Sequence, residues 1–217
     1  DLHSFPTRRS SDLAIYNVIN HTTPDSAVLG DTLALVNQAD IGARTFSTTD
    51  KTKTYTLGSA LGETKAGAFT ISGATDGTST STIDLNTQNG FNLTNASTLT
   101  LTDVKVQNAT GAVVTLNNAN AGLNVTSNSV IAGDVTNTLG TVTNSGSITG
   151  NVTNSGTLTS SVDNIGGAIA NAGIFNATGT LDKTITGVGT TYVNGTLTLN
   201  SGAAIDGTLN LNDGADS

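Results

Sequence analysis

A ten-residue phrase written twice between Thr141 and Ser160 constrains the fold of this chain more than any other feature. It reads Thr-Val-Thr-Asn-Ser-Gly-Ser-Ile-Thr-Gly, then Asn-Val-Thr-Asn-Ser-Gly-Thr-Leu-Thr-Ser. Even positions carry Val, Ile, Leu, Asn, Gly and one Ser, whereas odd positions carry only Thr, Ser and Asn. This is the two-residue period of a β-strand with one buried and one exposed face.

The phrase must contain corners as well as strands. One strand across both copies would far exceed the usual length of roughly 3–10 residues, and Asn-Ser-Gly triplets are typical of turns. A single strand-and-corner unit cannot bury its own apolar side, whereas stacked units can. The sequence therefore predicts an all-β chain wound into a β-solenoid.

Composition excludes several classes of function. Aromatic residues make up 4% and charged residues 11% of the 217 residues, and the formal net charge is −8. An acidic chain without a basic cluster is not expected to bind nucleic acid or an anionic membrane surface. No cysteine is present, which excludes disulfides and thiolate metal sites. No apolar run approaches the about 18 residues of a membrane helix, so we expect no membrane insertion.

The two ends of the sequence carry separate expectations. Residues 1–13 match the in-frame translation of a common sequencing-library adapter, so we interpret them as an artefact rather than a genuine basic arm and exclude them from the fold. The native N-terminus is then expected to be missing, and no signal peptide can be looked for. The sequence also stops inside a repeat, so we expect a fragment of a longer protein, truncated at its C-terminus.

Residues 14–66 lack the regular alternation. We predict an N-terminal cap or irregular first coil in preference to a separate domain. Within it, Ser26 or Asp31 could act as the N-cap of a short helix reaching Ala39, and Thr54–Leu57 is predicted as a short strand.

From residue 67 onward, apolar residues come in pairs at positions i and i+2. Each pair predicts a short strand with two inward side chains. The step from Phe91 and Leu93 to Val114 and Leu116 is 23 residues, and the step from Leu99 and Leu101 to Leu123 and Val125 is 24. A coil of three strands and three turns needs about this length, which gives about six or seven coils over residues 67–217.

These residues carry a resemblance to known proteins. Residues 68–73, 81–85 and 90–108 resemble the opening coils of pectin-lyase-like parallel β-helices. Residues 150–159 and 195–202 resemble the passenger domains of bacterial autotransporters and related surface adhesins. The resemblance covers about residues 68–217 and implies a right-handed, single-stranded parallel β-helix from an exported surface protein.

The resemblance also implies a location and partners. The protein would be extracellular or at the bacterial cell surface, attached to the outer membrane through a C-terminal part missing from this sequence. Its partners would be a host or matrix surface protein or glycan, or further copies of itself along the solenoid.

Catalytic chemistry finds little support in the residues. Carbohydrate-active enzymes of this fold need carboxylates together with a cation, but from Gln107 onward Lys183 is the single cation and Arg, His and Glu are absent. One grouping, Asp76, Asp84, Asp103 and Lys105, is considered and disfavoured. The Gly-rich calcium nonapeptide is also missing. We therefore predict no catalytic residue, no cofactor and no metal site.

Two polar patterns have alternative interpretations. Asn144, Asn154 and Asn164, spaced ten apart on the inward register, are candidates for a ladder of hydrogen-bonded amides, although for any single residue capping of its own turn is slightly favoured. Thr141/Thr143, Thr157/Thr159 and Thr196/Thr198 would resemble an ice-binding face if stacked. Their unequal spacing favours ordinary outward strand residues.

The sequence thus predicts a non-catalytic, cell-surface β-helical stalk or adhesin passenger that mediates adhesion or surface interaction. The alternative is a fragment of a pectin-lyase-like carbohydrate-active enzyme whose catalytic coils are missing. A cleft with clustered acids and a cation would distinguish the two.

Overall fold

The computed structural model describes residues 26–28, 32–33, 44–48, 50–57, 67–77 and 79–211. Within these ranges the chain is built almost entirely from short strands, with one short 3-10 helix at Val162–Asn164. The strands are β1 Ser26–Val28, β2 Thr32–Leu33, β3 Arg44–Ser47, β4 Thr54–Leu57, β5 Gly67–Ser72, β6 Ser81–Asp84, β7 Asn89–Leu93, β8 Ser97–Thr102, β9 Val104–Gln107, β10 Thr110–Leu116, β11 Gly122–Val125, β12 Val130–Ala132, β13 Val135–Asn137, β14 Thr141–Asn144, β15 Ser147–Ile148, β16 Val152–Asn154, β17 Thr157–Ser161, β18 Ile169–Asn171, β19 Ile174–Leu181, β20 Thr184–Thr186, β21 Thr190–Leu199, β22 Ala204–Ile205 and β23 Thr208–Asn210.

The strands form three parallel sheets, as a chain winding repeatedly around one axis requires. A ten-stranded sheet has the order β1-β3-β5-β8-β11-β14-β17-β19-β21-β23, a seven-stranded sheet the order β22-β20-β18-β16-β13-β10-β7, and a six-stranded sheet the order β15-β12-β9-β6-β4-β2. The four coils from β5 to β16 each contribute one strand to each sheet in turn, whereas the later coils contribute strands only to the ten-stranded and seven-stranded sheets. The prediction of an all-β parallel solenoid is confirmed, and the eight strands from β5 to β23 make seven coil-to-coil steps.

Alternation of side chains explains where the core lies. In β8 every second residue is buried, and Leu99 and Leu101 are fully inaccessible to solvent. The same pattern places Leu123, Val142, Leu158 and Phe175 inward on successive strands of the ten-stranded sheet. The core is therefore one continuous column of apolar side chains running along the axis, enclosed by the three sheets.

The two coil steps predicted from apolar pairs are confirmed in register. Phe91 lies beside Val114 and Leu93 beside Leu116, while Leu99 lies beside Leu123 and Leu101 beside Val125. The expected coil length of 23 or 24 residues does not hold along the whole molecule. Further along, Asn144 stacks on Ser160 at a separation of 16 residues, and Asn137 stacks on Asn154 at a separation of 17.

The ten-residue phrase is shorter than one coil. Val142 pairs with Leu158 in the ten-stranded sheet, whereas Val152 belongs to the seven-stranded sheet and pairs with Val135 and Ile169. Equivalent positions of the two copies, such as Val142 and Val152, therefore lie on different sides of the solenoid. The prediction of one strand and one corner per copy is wrong, because each copy contains two strands separated by a corner. The stacking unit here contains three strands and three corners.

Part of the region 14–66 lies within the described residues, and its strands stack in register on the solenoid. Thr45 pairs with Thr70 and Tyr55 with Ile83, and the strand predicted at Thr54–Leu57 is present as β4. The helix predicted from Ser26 is wrong where it can be examined, because Ser26–Val28 and Thr32–Leu33 are strands. Pairing of Ser26 with Thr45 outweighs the weak helical propensity around Gly30. The adapter-like residues 1–13 lie outside the described residues.

Candidate functional site

A ladder of buried asparagines runs along the corner between the seven-stranded and ten-stranded sheets. Asn137, Asn154 and Asn171 occupy the last position of β13, β16 and β18, and each is at most 2% exposed. Asn137 Nδ2 donates to Asn154 Oδ1 at 2.8 Å, and Asn154 Nδ2 donates to Asn171 Oδ1 at 2.8 Å. We call these three residues the asparagine ladder.

The same amides also donate to backbone carbonyl oxygens of their own corner or of the next coil. Asn137 Nδ2 contacts the Gly140 carbonyl oxygen at 2.9 Å, Asn154 Nδ2 the Ile174 carbonyl oxygen at 2.9 Å, and Asn171 Nδ2 the Thr190 carbonyl oxygen at 3.2 Å. Buried backbone carbonyls need such partners. The ladder is therefore a structural device that binds successive corners to each other.

The three asparagines predicted as a ladder are not brought together. Asn154 is the middle member of the ladder described above, with Asn137 and Asn171 as its neighbours. Asn144 lies in the ten-stranded sheet, where its Nδ2 donates to Ser160 Oγ at 3.0 Å. Asn164 lies in the 3-10 helix and is partly exposed. The ten-residue spacing carries the three side chains to different sides of the coil.

A signal for the observed ladder is present in the sequence at a different period. Val135-Thr-Asn137, Val152-Thr-Asn154 and Ile169-Ala-Asn171 recur every 17 residues, and each is followed by a glycine two or three positions on. The ten-residue phrase hides this period, because Val142-Thr-Asn144 has the same residues at a different corner.

Glycines stack beside the ladder because the coils approach too closely there for a side chain. A Cβ on Gly156 would lie 2.2 Å from the Gly140 carbonyl oxygen, one on Gly173 2.2 Å from the Gly156 oxygen, and one on Gly189 2.5 Å from the Gly173 oxygen. We call Gly140, Gly156, Gly173 and Gly189 the glycine column. Its contacts are with backbone atoms, which cannot move aside without breaking the adjacent hydrogen bonds.

The outward side of the ten-stranded sheet, by contrast, presents side chains in two straight columns. We call these sixteen positions, from β5 to β23, the threonine face. The first column contains Ala68, Thr98, Gly122, Thr141, Thr157, Ile174, Thr190 and Thr208, and the second contains Thr70, Thr100, Asn124, Thr143, Thr159, Asn176, Tyr192 and Asn210.

Side-chain hydrogen bonds order the second column. Asn124 Nδ2 donates to Thr100 Oγ1 at 3.4 Å, and Asn176 Nδ2 donates to Thr159 Oγ1 at 3.2 Å. Each asparagine thus reaches to the preceding coil and fixes a threonine hydroxyl. The face is a regular array of hydroxyl, amide and methyl groups rather than a set of independent side chains.

The one grouping of charged residues considered in the sequence does not form a catalytic cluster. Asp76 pairs with Lys51, Asp84 accepts hydrogen bonds from Gln107 and Asn108, and Asp103 accepts one from Asn128. Each carboxylate thus has a structural partner of its own. Partial burial raises the pKa of Asp84, but hydrogen bonds from the Asn86 N–H and the Asn108 and Gln107 amides outweigh it, so the pKa is lowered overall.

Further carboxylates join one coil to the next. Asp134 Oδ1 accepts from the Asn151 N–H at 2.7 Å, and Asp163 Oδ2 accepts from the Thr180 N–H at 2.9 Å. Lys183 Nζ donates to the Ile165 carbonyl oxygen of the preceding coil. These charged groups are used in holding the corners together.

Metal-binding groups and membrane-spanning helices are absent from the parts of the chain that the structure describes. There, no three His, Asp or Glu side chains converge in a way that could hold a metal ion. No helix in the same ranges has the length and apolar character needed to cross a membrane.

Comparison with known proteins gives no match: no family model, no curated protein and no solved structure is similar to this chain.

Proposed function

We propose that this chain is the β-helical part of a non-catalytic bacterial surface protein that acts as a stalk or adhesin passenger. The observation that carries the proposal is the solenoid itself: three parallel sheets extend along one axis and leave long, continuous outer faces. Such extended repetitive surfaces are suited to contacts with other surfaces. The site would be a face several coils long rather than a single pocket.

The use of polar groups supports a non-catalytic role. Catalysis needs an acid, a base or a nucleophile held within reach of a reacting atom. In the coils after Gln107 the carboxylates of Asp134 and Asp163 bind backbone N–H groups, and Lys183 binds carbonyl oxygens. These side chains stabilise the winding, and nothing in their arrangement defines a place for a substrate.

Location and partners follow from the same proposal. The protein would be exposed at the bacterial surface or released from it, and would meet host or matrix proteins, glycans, or other copies of itself. Thr, Ser and Asn dominate its outer faces, which keeps a long apolar-cored rod soluble without the charge density of ordinary surfaces.

Surface display of the full 217-residue chain on a heterologous bacterium tests this role. Cells are offered immobilised matrix proteins and glycans, and retained cells are counted. We expect retention above that of cells displaying Gly173→Val at matched levels, because this variant disrupts the coils. Retention no higher than this control on every surface would contradict the adhesive role. Release of sugars from pectin-type polysaccharides by the purified chain would instead support the enzyme alternative.

A further inference from the structure

The threonine face is uncharged along its whole length, although the chain carries a formal net charge of −8. Every charged side chain from residue 67 to residue 211 lies at a corner, in the 3-10 helix or on the six-stranded sheet: Asp76, Asp84, Asp103, Lys105, Asp134, Asp163, Asp182, Lys183 and Asp206. A charged ligand on this face would find no counter-ion there, and an anionic one would be repelled by the rest of the molecule. The face therefore favours a neutral partner.

Threonines that are unequally spaced in the sequence lie in register in the structure, because the coils between them differ in length. Thr141 and Thr143 lie directly beside Thr157 and Thr159. Thr98 and Thr100 occupy the same two columns, separated from them by the Gly122 and Asn124 coil. The threonine pairs are unequally spaced in the sequence because successive coils differ in length, but in the structure they stack in register. Thr198 is the exception, since it pairs with Thr180 outside both columns.

The dimensions of the face restrict the shape of its partner. Eight strands at about 4.8 Å give a track on the order of 34 Å long, and residues at i and i+2 place the two columns about 7 Å apart. Such a strip presents only a few hundred Å², well below the about 800 Å² per partner of a stable protein interface. A narrow track fits a single extended polymer better than a second folded protein.

The chemistry of the face matches a sugar chain. Each threonine offers a hydroxyl that both donates and accepts, next to a methyl group, which suits the alternating hydroxyl and C–H groups of a neutral sugar. Ile174, 42% exposed, and Tyr192 add apolar and aromatic contact within the same two columns. Asn124 and Asn176 fix threonine hydroxyls before any ligand arrives, which lowers the entropy lost on binding.

We propose that the threonine face binds a linear, neutral polysaccharide that lies along its two columns. This proposal rests on the proposed surface role and names the class of partner for one face.

The chain supplies a closely matched pair of positions for the test. Val142-Thr143-Asn144 lies in the ten-stranded sheet with Thr143 on the threonine face, and the identical tripeptide Val152-Thr153-Asn154 lies in the seven-stranded sheet. Both threonines are exposed at the centre of a short strand. Thr143→Asp and Thr153→Asp therefore change the same residue in the same local sequence on two different faces.

Affinity electrophoresis of the full chain in gels containing a soluble linear β-glucan measures the binding. We expect the wild type and Thr153→Asp to be retarded equally, and Thr143→Asp to bind at least about tenfold more weakly, since a carboxylate is desolvated against a neutral ligand. Gels containing polygalacturonate should give no retardation. Thr143→Lys and Thr153→Lys repeat the comparison with opposite charge, and far-UV circular dichroism checks folding.

Several outcomes would overturn the assignment. They are absence of retardation, equal weakening by Thr153→Asp, retardation by the anionic polymer alone, a dimer in sedimentation that Thr143→Asp dissociates, or inhibition of ice recrystallisation as the only activity of the face. The surface role is judged separately from the displayed cells. If cells adhere and Thr143→Asp cells adhere equally, the surface role stands and the polysaccharide assignment falls. If the gels show binding and the cells do not adhere, the polysaccharide assignment stands and the surface role falls.

Discussion

The coils before and after residue 126 share one fold but are held together by different means. Between residues 67 and 125 the coils are long, with steps of 23 to 25 residues between hydrogen-bonded side chains, and the interior is filled by Leu, Ile, Val and Phe. After residue 126 the steps between hydrogen-bonded side chains shorten to 16 or 17 residues, and the strand pairings of the last described coils have steps of 18 to 20. There Asn137, Asn144, Asn154, Ser160 and Asn171 are buried in places where the earlier coils carry aliphatic residues.

The difference follows from the space inside each coil. In one inward column Ile71, Leu101 and Val125 are succeeded by Asn144, Ser160 and Ala177, so the side chains shrink as the coil shortens. Close backbone contacts at glycines occur in both regions, since a Cβ on Gly73 in the long coils would lie 1.8 Å from the Asp103 carbonyl oxygen. In the short coils, backbone carbonyl groups at the corners also face inward toward the asparagine side chains. Buried amides supply the donors that those carbonyls need. The long coils are stabilised mainly by apolar burial, whereas the short coils combine apolar burial with fitted polar contacts.

The largest expected effect comes from the glycine column. In Gly173→Ala the new Cβ would lie 2.2 Å from the Gly156 carbonyl oxygen, and we expect a loss of about 4 kcal/mol in the free energy of unfolding, or failure to fold. Gly111 in the long coils has a φ of +78° and open space around its Cβ position, so Gly111→Ala should cost about 1 kcal/mol. Urea denaturation measures both. Equal losses would mean that the close approach of the Gly156 carbonyl oxygen to Gly173 does not constrain the stability of the short coils.

An aliphatic truncation should reveal the reliance of the long coils on apolar burial. Leu101 is fully buried between Ile71 and Val125, and we expect Leu101→Ala to lower the free energy of unfolding by about 3 kcal/mol. Leu199, 47% exposed, provides the control, since Leu199→Ala should cost less than about 0.5 kcal/mol. The comparison of the two regions would fail if Leu101→Ala were as mild as its control.

Two buried asparagines of the short coils should respond in opposite ways to the same substitution. Asn154→Val removes the donor to Asn171 and to the Ile174 carbonyl oxygen and should cost about 2 kcal/mol. Asn144 Oδ1 has no hydrogen-bond partner among the described residues, and Val125 lies beside Asn144 on the preceding coil. Asn144→Val should therefore be neutral or slightly stabilising. Thermal unfolding distinguishes the two variants, and a similar loss in both would show that Asn144 also contributes to stability.

The difference between the long and the short coils also explains which parts of the register could be predicted from the sequence. In the long coils, Phe91 and Leu93 could be paired with Val114 and Leu116 because apolar pairs alone set the register. In the short coils the corners carry nearly identical residues, so Asn144-Ser-Gly and Asn154-Ser-Gly look like one repeat. They differ only in which corner they occupy, and that depends on the winding of the whole coil. The same dependence hid the threonine face, since Thr98 and Thr141 share a column only after two coils of different length.

The smallest expected effect concerns pH and belongs to the long coils. The pKa of Asp84 is held below its usual value of 3.8, because hydrogen bonds from Asn86, Asn108 and Gln107 to the carboxylate outweigh partial burial. A carboxyl group whose pKa is lower in the folded state contributes stability above its unfolded pKa and loses it as the pH falls through the folded value. The urea midpoint of the wild type should therefore fall between about pH 4 and pH 2 by slightly more than that of Asp84→Asn. Asp206→Asn removes the same charge at an exposed corner and serves as the charge-matched control. If Asp84→Asn and the wild type kept the same pH dependence, the hydrogen bonds between the strands at Asp84 and Gln107 would not be contributing to the stability of the long coils.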